Sequence, residues 1–147
     1  MTSGVPQGTV LGPVMYNAAT AGLRDLNLSD GSVTILYADD LLLVKRLASM
    51  DDEKHLQEDC DAIFHFYQQE KLAINGRKTT LLLVSVSPAG ASPLRTPLLL
   101  NGSQVTQVDA LKYLGVLFDE RLSFTKHAVS TSSKARRMLG AASCVLK

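Results

Sequence analysis

Cysteine is scarce: the 147 residues hold two, Cys60 and Cys144. They show no metal-ligand spacing and no disulfide framework, which points to a reducing, intracellular compartment, nuclear or cytoplasmic. Histidine is scarce as well, and His55, His65 and His127 are scattered rather than clustered. No apolar run approaches membrane-spanning length, because Asp39 and Asp40 interrupt the longest candidate, so no membrane is expected as a partner. The N-terminus lacks the charged and apolar regions of a signal peptide. There is no internal repeat. What remains is a chain of one-domain length, 46% hydrophobic, with an ordinary globular composition.

The net charge of +1 hides an asymmetry. Residues 1–120 carry 9 basic against 14 acidic side chains, giving −5, whereas residues 121–147 carry 6 basic and no acidic ones, giving +6. A basic tail on an acidic body suggests a polyanionic partner near the C-terminus, although a solvated helix face with clustered charge is the plain alternative.

The chain is organised around Ile35-Leu36-Tyr37-Ala38-Asp39-Asp40-Leu41-Leu42-Leu43-Val44, an apolar, β-forming run with two adjacent carboxylates at its centre. It reads as two strands joined in a hairpin whose tip carries Asp39 and Asp40. Two neighbouring like charges on apolar strands are costly unless neutralised, and a hard divalent cation such as Mg²⁺ takes carboxylate oxygens. Alone, an Asp-Asp pair is also simply a solvated turn.

Around that hairpin the pattern is regular. Gly4, Pro6, Gly8, Gly12 and Pro13 punctuate an opening loop, and Gly8 allows close approach without a Cβ. Pro13 suits a helix's first turn, and Val14, Met15, Ala18, Ala19, Gly22, Leu23 and Leu26 recur at helical spacing to about Asn27. After a turn at Ser29-Asp30-Gly31-Ser32, the hairpin runs from Val33 to about Lys45. Ser49 is expected to cap a helix with Asp51, Asp52 and Glu53 in its first turn and Leu56, Cys60, Ile63, Phe64 and Tyr67 on one apolar stripe. Cys60 thus reads as core, and His65 as solvated. A strand is expected over Thr79–Val86, a loop over Ser87–Pro93, a short hairpin about Asn101-Gly102, a strand over Tyr113–Phe118 and a helix from Leu122 onward. In that last helix Ala135, Met138, Leu139, Ala142 and Val145 share a stripe that Lys134, Arg136 and Arg137 mostly avoid. The order helix, hairpin, helix, strand is a split βαβ unit without its first strand.

Tyr37-Ala38-Asp39-Asp40 resembles the catalytic signature of reverse transcriptases. Ser3-Gly4-Val5-Pro6-Gln7-Gly8-Thr9-Val10-Leu11-Gly12-Pro13 resembles the motif that precedes it in that family. Asn75 with Lys78-Thr79, then Lys112-Tyr113-Leu114-Gly115-Val116, resemble the two motifs that follow. The set is ordered as in the family, covers nearly the whole chain, and looks most like the non-LTR retrotransposon (LINE-type) branch.

The resemblance implies an α+β fold, the palm of a right-hand polymerase (split βαβ, ferredoxin-like), followed by a β-hairpin and a C-terminal helix. It assigns 1–86 to part of the palm, 87–97 to a loop, 98–120 to a primer-grip-like β segment and 121–147 to the start of the thumb. It implies nucleotidyl transfer from a deoxynucleoside triphosphate to a DNA primer on an RNA template, with Mg²⁺ or Mn²⁺ in a two-metal mechanism. Asp39 and Asp40 would be catalytic and metal-binding, Asp39 directly and Asp40 less so. The family's other aspartate lies on a strand ahead of the Pro6-Gln7-Gly8 loop, absent from these residues, so the chain alone is expected to be inactive unless Asp119 or Asp109 completes the site. Lys78 is a candidate general acid, with Arg77 a competitor. Pro6, Gln7 and Gly8 would lie beside template and nucleotide. Tyr113, Leu114 and Gly115 would grip the primer, although Leu114 suits the core better. Lys126, Lys134, Arg136 and Arg137 would contact duplex phosphates. The rival readings are a non-catalytic nucleic-acid-binding remnant of a retrotransposon and a fragment of a group II intron-type maturase.

Overall fold

A computed structural model describes residues 11–85, 87 and 93–145 of the chain. The Pro6-Gln7-Gly8 loop and most of Ser87–Pro93 lie outside the described residues. In chain order the elements are α1 (Gly12–Thr20), a 3₁₀ segment (Ala21–Asp25), β1 (Ser32–Tyr37), β2 (Asp40–Lys45), α2 (Met50–Gln69), β3 (Thr80–Leu81), β4 (Leu99–Leu100), β5 (Ser103–Gln104), β6 (Thr106–Gln107), β7 (Ala110–Tyr113), β8 (Val116–Asp119) and α3 (Thr125–Val145). The fold is thus mixed, with helices and small two-stranded sheets: β1–β2, β3–β6, β4–β5 and β7–β8. The residues fall into two compact units. One draws on Met1–Lys78 and Leu94–Val105, the other on Thr79–Pro93 and Thr106–Lys147.

In the first unit, Pro13 stands in the first turn of α1, where its missing N–H costs nothing. The helix is shorter than the expected stripe. After Thr20 the backbone tightens to 3₁₀ geometry with three residues per turn, so the 3.6-residue repeat fails. Val14 and Met15 are exposed, and the core is reached instead by Leu23 and Leu26. Gly22 permits close packing here, since a Cβ would stand 3.1 Å from the Phe66 ring.

The second helix, α2, begins at Ser49, as the capping residues and acidic first turn predict. The Asp52 carboxylate accepts hydrogen bonds from the Ala48 N–H (2.8 Å), the Ser49 N–H (2.7 Å) and the Ser49 hydroxyl (2.9 Å). Those bonds hold its pKa below the ordinary carboxylate value, the Ala48 contribution being largest. Leu56, Ile63 and Tyr67 are buried. Leu23, Ile63 and Tyr67 form the core cluster, with Leu36, Leu41, Leu43, Phe66, Leu72 and Ile74 packed against it. Burying one such side chain stabilises the unit by about 1.5–3 kcal/mol. Asn101 and Gly102 take left-handed φ of 50° and 71° and close the β4–β5 hairpin, as a type I′ turn requires. Gln57 of α2 holds that hairpin: its Nε2 donates to the Leu99 carbonyl (2.9 Å) and its Oε1 accepts from the Leu99 N–H (2.8 Å).

In the second unit the expected strand over Thr79–Val86 contracts to Thr80–Leu81, paired in parallel with Thr106–Gln107. Among the described residues the ladder with 106–107 ends at Leu81, although the Ser85 N–H still donates to the Glu120 carbonyl (2.9 Å). Val86 itself is not described. The expected strand Tyr113–Phe118 is instead two strands. β7 and β8 pair antiparallel from Ala110↔Asp119 to Tyr113↔Val116, and Leu114-Gly115 form the turn between them at φ 46° and 86°. Leu114 therefore sits at a tip and is 47% exposed, not in the core. The last helix begins at Thr125 rather than Leu122, because Leu122 and Phe124 adopt left-handed φ of 52° and 57°. Asp119, 4% exposed, organises that junction: it accepts from the N–H groups of Arg121 (3.1 Å) and Ser123 (2.9 Å) and from the Ser123 hydroxyl (2.9 Å). The Ser123 N–H bond is the main cause that holds its carboxyl below the ordinary range.

Candidate active site

The β1–β2 hairpin is paired residue for residue, from Ser32↔Lys45 at its open end to Tyr37↔Asp40 at its tip. Only Ala38 and Asp39 remain for the turn. Ala38 carries the left-handed φ of 49°. A non-glycine residue in that region is strained, and such strain clusters at functional turns. Alternation gives the hairpin two faces. Leu36, Leu41 and Leu43 pack on the core cluster. Val33, Ile35, Tyr37 and Val44 lie on the other face and are 45–63% exposed. Asp39 at the turn and Asp40 at the first position of β2 are both exposed. The sequence reading of a hairpin with an acidic tip therefore holds, on a frame anchored by one face to α2.

Two exposed carboxylates are hard oxygen donors, the ligand type Mg²⁺ prefers. They are a thin set on their own. Among the described residues no group of three or more His, Cys, Asp or Glu is placed to hold a metal ion. The donor chemistry fits a metal whose shell is completed by phosphates, water and a further carboxylate.

The remaining predicted residues are distributed as follows. Lys78 is exposed and closes a turn in which its N–H donates to the Asn75 carbonyl (3.0 Å), just before β3. Tyr113 ends β7, and its hydroxyl is buried without a hydrogen-bond partner among the described residues. Lys126, Lys134, Arg136 and Arg137 are exposed on α3. Cys60 is inert: burial first, then Asp61 and Asp59, pushes its thiol up to about 11, far from thiolate chemistry at neutral pH. A groove of about 270 Å³ lies beside the start of α2, lined by Met50, Glu53, Gln57, Arg95 and Leu98 among others.

Sequence reasoning missed a buried polar group at the open end of the hairpin. Asp59 of α2 is 4% exposed in its side chain and Lys45 of β2 is 1% exposed, with Nζ and Oδ2 3.8 Å apart. Burial alone would raise the Asp59 pKa, but hydrogen bonds from Ser29 and Ser32 and the Lys45 charge together hold it below the ordinary value. The available signal was spacing: Leu56, Asp59 and Ile63 stand at i, i+3 and i+7, so Asp59 shares the buried face.

A model of the reverse transcriptase (RNA-dependent DNA polymerase) family matches residues 1–118. The chain is similar to the RNA-directed DNA polymerase from mobile element jockey of Drosophila funebris, with 34% identity over 140 residues, 91% of this chain and 15% of the relative. It is similar to the probable RNA-directed DNA polymerase from transposon BS of Drosophila melanogaster, with 33% identity over 140 residues, again 91% of this chain and 15% of the relative. It is also similar to the retrovirus-related Pol polyprotein from type-1 retrotransposable element R1 of Nasonia vitripennis, with 26% identity over 140 residues, 93% of this chain and 42% of the relative. The chain thus spans about 15% of the length of the jockey and BS relatives. No solved structure matches it.

Proposed function

The chain belongs to the reverse transcriptase family, with relatives among the non-LTR retrotransposon polymerases, and we propose that it supplies part of the polymerase palm and its catalytic hairpin. The observation that carries the reading is the hairpin tip: Asp39 in a two-residue turn and Asp40 beside it, both exposed, on a frame whose other face is packed on α2. Such a frame holds a carboxylate on a rigid element, which is what positioning for an in-line displacement requires. In this reading the split βαβ palm spans residues 1–86, with the primer-grip-like segment at 98–120 and the start of the thumb at 121–147. Divalent metal, Mg²⁺ or Mn²⁺, would stabilise the attacking and leaving oxygens when bound.

Each residue then has a task. Asp39 holds metal directly, together with an aspartate that the family carries upstream of the Pro6-Gln7-Gly8 loop. Asp40 adds negative charge beside it. Lys78 donates a proton to the departing pyrophosphate. Pro6, Gln7 and Gly8 border the template base and nucleotide, and Tyr113, Leu114 and Gly115 border the primer. The exposure of Leu114 at a hairpin tip supports a contact role for it. Lys126, Lys134, Arg136 and Arg137 meet duplex phosphates without reading sequence. The partners are an RNA template, a DNA primer and deoxynucleoside triphosphates. The family match favours neither the maturase nor the remnant reading.

The test is primer extension on an RNA template. Residues 1–147 alone are expected to give none, and adding the upstream segment, covalently or as a peptide, restores it. Extension by residues 1–147 alone, abolished by Asp39→Ala, would show that a different carboxylate completes the site.

A further inference from the structure

The catalytic hairpin has a weakness in its sequence. β2 reads Asp40-Leu41-Leu42-Leu43-Val44-Lys45. Register is normally set by apolar alternation, because a slip of one residue sends the buried set to solvent. Here it is not. Sliding β2 by one position would present Leu42 and Val44 to the core in place of Leu41 and Leu43. Hydrophobicity alone does not distinguish these pairings, yet with Leu36 opposite Leu42 the turn would lengthen to residues 38–40 and Asp40 would leave the ladder.

One position in β2 is not interchangeable. Lys45 pairs with Ser32 at the open end, on the same face as Leu36, Leu41 and Leu43. Its Nζ donates to the hydroxyls of Ser29 (2.6 Å) and Ser32 (3.1 Å) and to the Asp30 carbonyl (3.1 Å). Asp59 of α2 receives the same groups from the other side. Its Oδ1 accepts from the Ser29 N–H (2.8 Å), and its Oδ2 accepts from the hydroxyls of Ser29 (2.6 Å) and Ser32 (2.5 Å). The turn before β1, the first residue of β1 and the last residue of β2 thus converge on one buried carboxylate. A slip would set opposite Ser32 either the uncharged Val44 or Arg46, whose longer planar guanidinium does not reproduce the compact ammonium that meets Ser29, Ser32 and Asp30 together.

We propose that Asp59 and Lys45, with Ser29 and Ser32, are positioning residues that lock the register of the catalytic hairpin and so keep Asp39 in a two-residue turn with Asp40 at the head of β2. Fixing pairing register is the best-attested role of a buried polar group. The ladder carries the constraint unbroken from Ser32↔Lys45 to Tyr37↔Asp40. The proposal rests on the hairpin's catalytic reading, but its register claim stands on the pairing alone.

Two measurements decide it. In the 147-residue chain, NMR cross-strand contacts report register directly. The unaltered chain is expected to show one set, with Leu36 opposite Leu41. Asp59→Asn and Lys45→Met are expected to add a second set with Leu36 opposite Leu42, whereas Leu56→Ala, which loosens α2 elsewhere, does not. Should the charge variants fail to fold, Ser32→Ala removes a single hydroxyl and is read the same way. In a polymerase containing this segment, Asp59→Asn is expected to lower kcat by about 10²-fold, the scale of an ångström-sized misplacement. It should also raise the Mg²⁺ concentration needed for half-maximal activity and leave KM for primer–template unchanged. Leu56→Ala leaves both kcat and the Mg²⁺ requirement unchanged below its melting temperature. A single in-register set in every variant would overturn the proposal, as would equal effects from Leu56→Ala. Retained extension in Asp39→Ala would instead sink the catalytic reading, leaving the register result to stand or fall by itself.

Discussion

The helices α2 and α3 are nearly the same length, 20 and 21 residues, and both carry an apolar stripe in sequence. They end in opposite situations. The stripe of α2 is covered: Leu56, Ile63 and Tyr67 are at most 6% exposed. On α3, Met138 and Leu139 are 74% and 71% exposed. Periodicity therefore specifies a helix and a face, while burial depends on what the rest of the protein supplies. The helix α2 has the β1–β2 hairpin and the 3₁₀ segment to pack against. In α3 only His127 is less than exposed among residues 125–141, and there its Nδ1 accepts from the Leu117 N–H at 3.3 Å.

The contrast is broken most severely at the buried charge. Asp59→Ala leaves the buried Lys45 ammonium without its counter-charge and should cost about 3–5 kcal/mol in chemical denaturation, the scale for removing one partner of a buried pair. An α3 substitution such as Lys134→Ala should cost under about 0.5 kcal/mol, as for surface positions. The same carboxylate predicts an acid dependence. Its folded pKa lies below the ordinary 3.8, so its contribution is fully present above that value and disappears as pH falls through the folded pKa. Stability measured from pH 5 downward should fall less steeply in Asp59→Asn, provided that each variant is compared with its own value at pH 6.

Next in size is core truncation. Ile63→Ala should lose about 2–5 kcal/mol, whereas Met138→Ala in the same chain should change stability by under about 0.5 kcal/mol. Equal losses would mean that α3 is covered after all. The smallest effect concerns α3 as a binding surface rather than a packed one. Replacing Lys134, Arg136 and Arg137 by serine should leave the melting temperature unchanged. It should also flatten the salt dependence of duplex binding by about 0.9 in log–log slope for each phosphate that is no longer neutralised. An unchanged slope would remove α3 from the nucleic-acid interface.

Local chemistry explains what the sequence disclosed. The Asp39-Asp40 hairpin, the Ser49 cap with Asp52, and the Asn101-Gly102 turn each depend on residues within a few positions of one another. The misplaced strand ends depend on pairing partners. Thr79–Val86 has strand composition, but its ladder needs residues 106–107 and extends over only Thr80 and Leu81. Leu114 is no turn former. Both it and Gly115 adopt left-handed φ, and the β7–β8 pairing carries Leu114 to the tip. Of the candidate site, the place of Asp39 and Asp40 at a hairpin tip was legible because β-forming runs flank the pair on both sides. Their support was not, because Asp59 joins them through Ser29, Ser32 and Lys45, which lie 14 to 30 positions away from it.

The central claim is that Asp39, held in the hairpin turn, carries metal-dependent nucleotidyl transfer. Single-turnover primer extension by a polymerase containing residues 1–147 and the upstream segment tests it most directly, with Asp39→Asn compared against Asp61→Asn, an exposed carboxylate on α2. Asp39→Asn is expected to abolish extension in Mg²⁺ while primer–template binding persists, and Asp61→Asn to extend normally. Normal extension by Asp39→Asn would contradict the account.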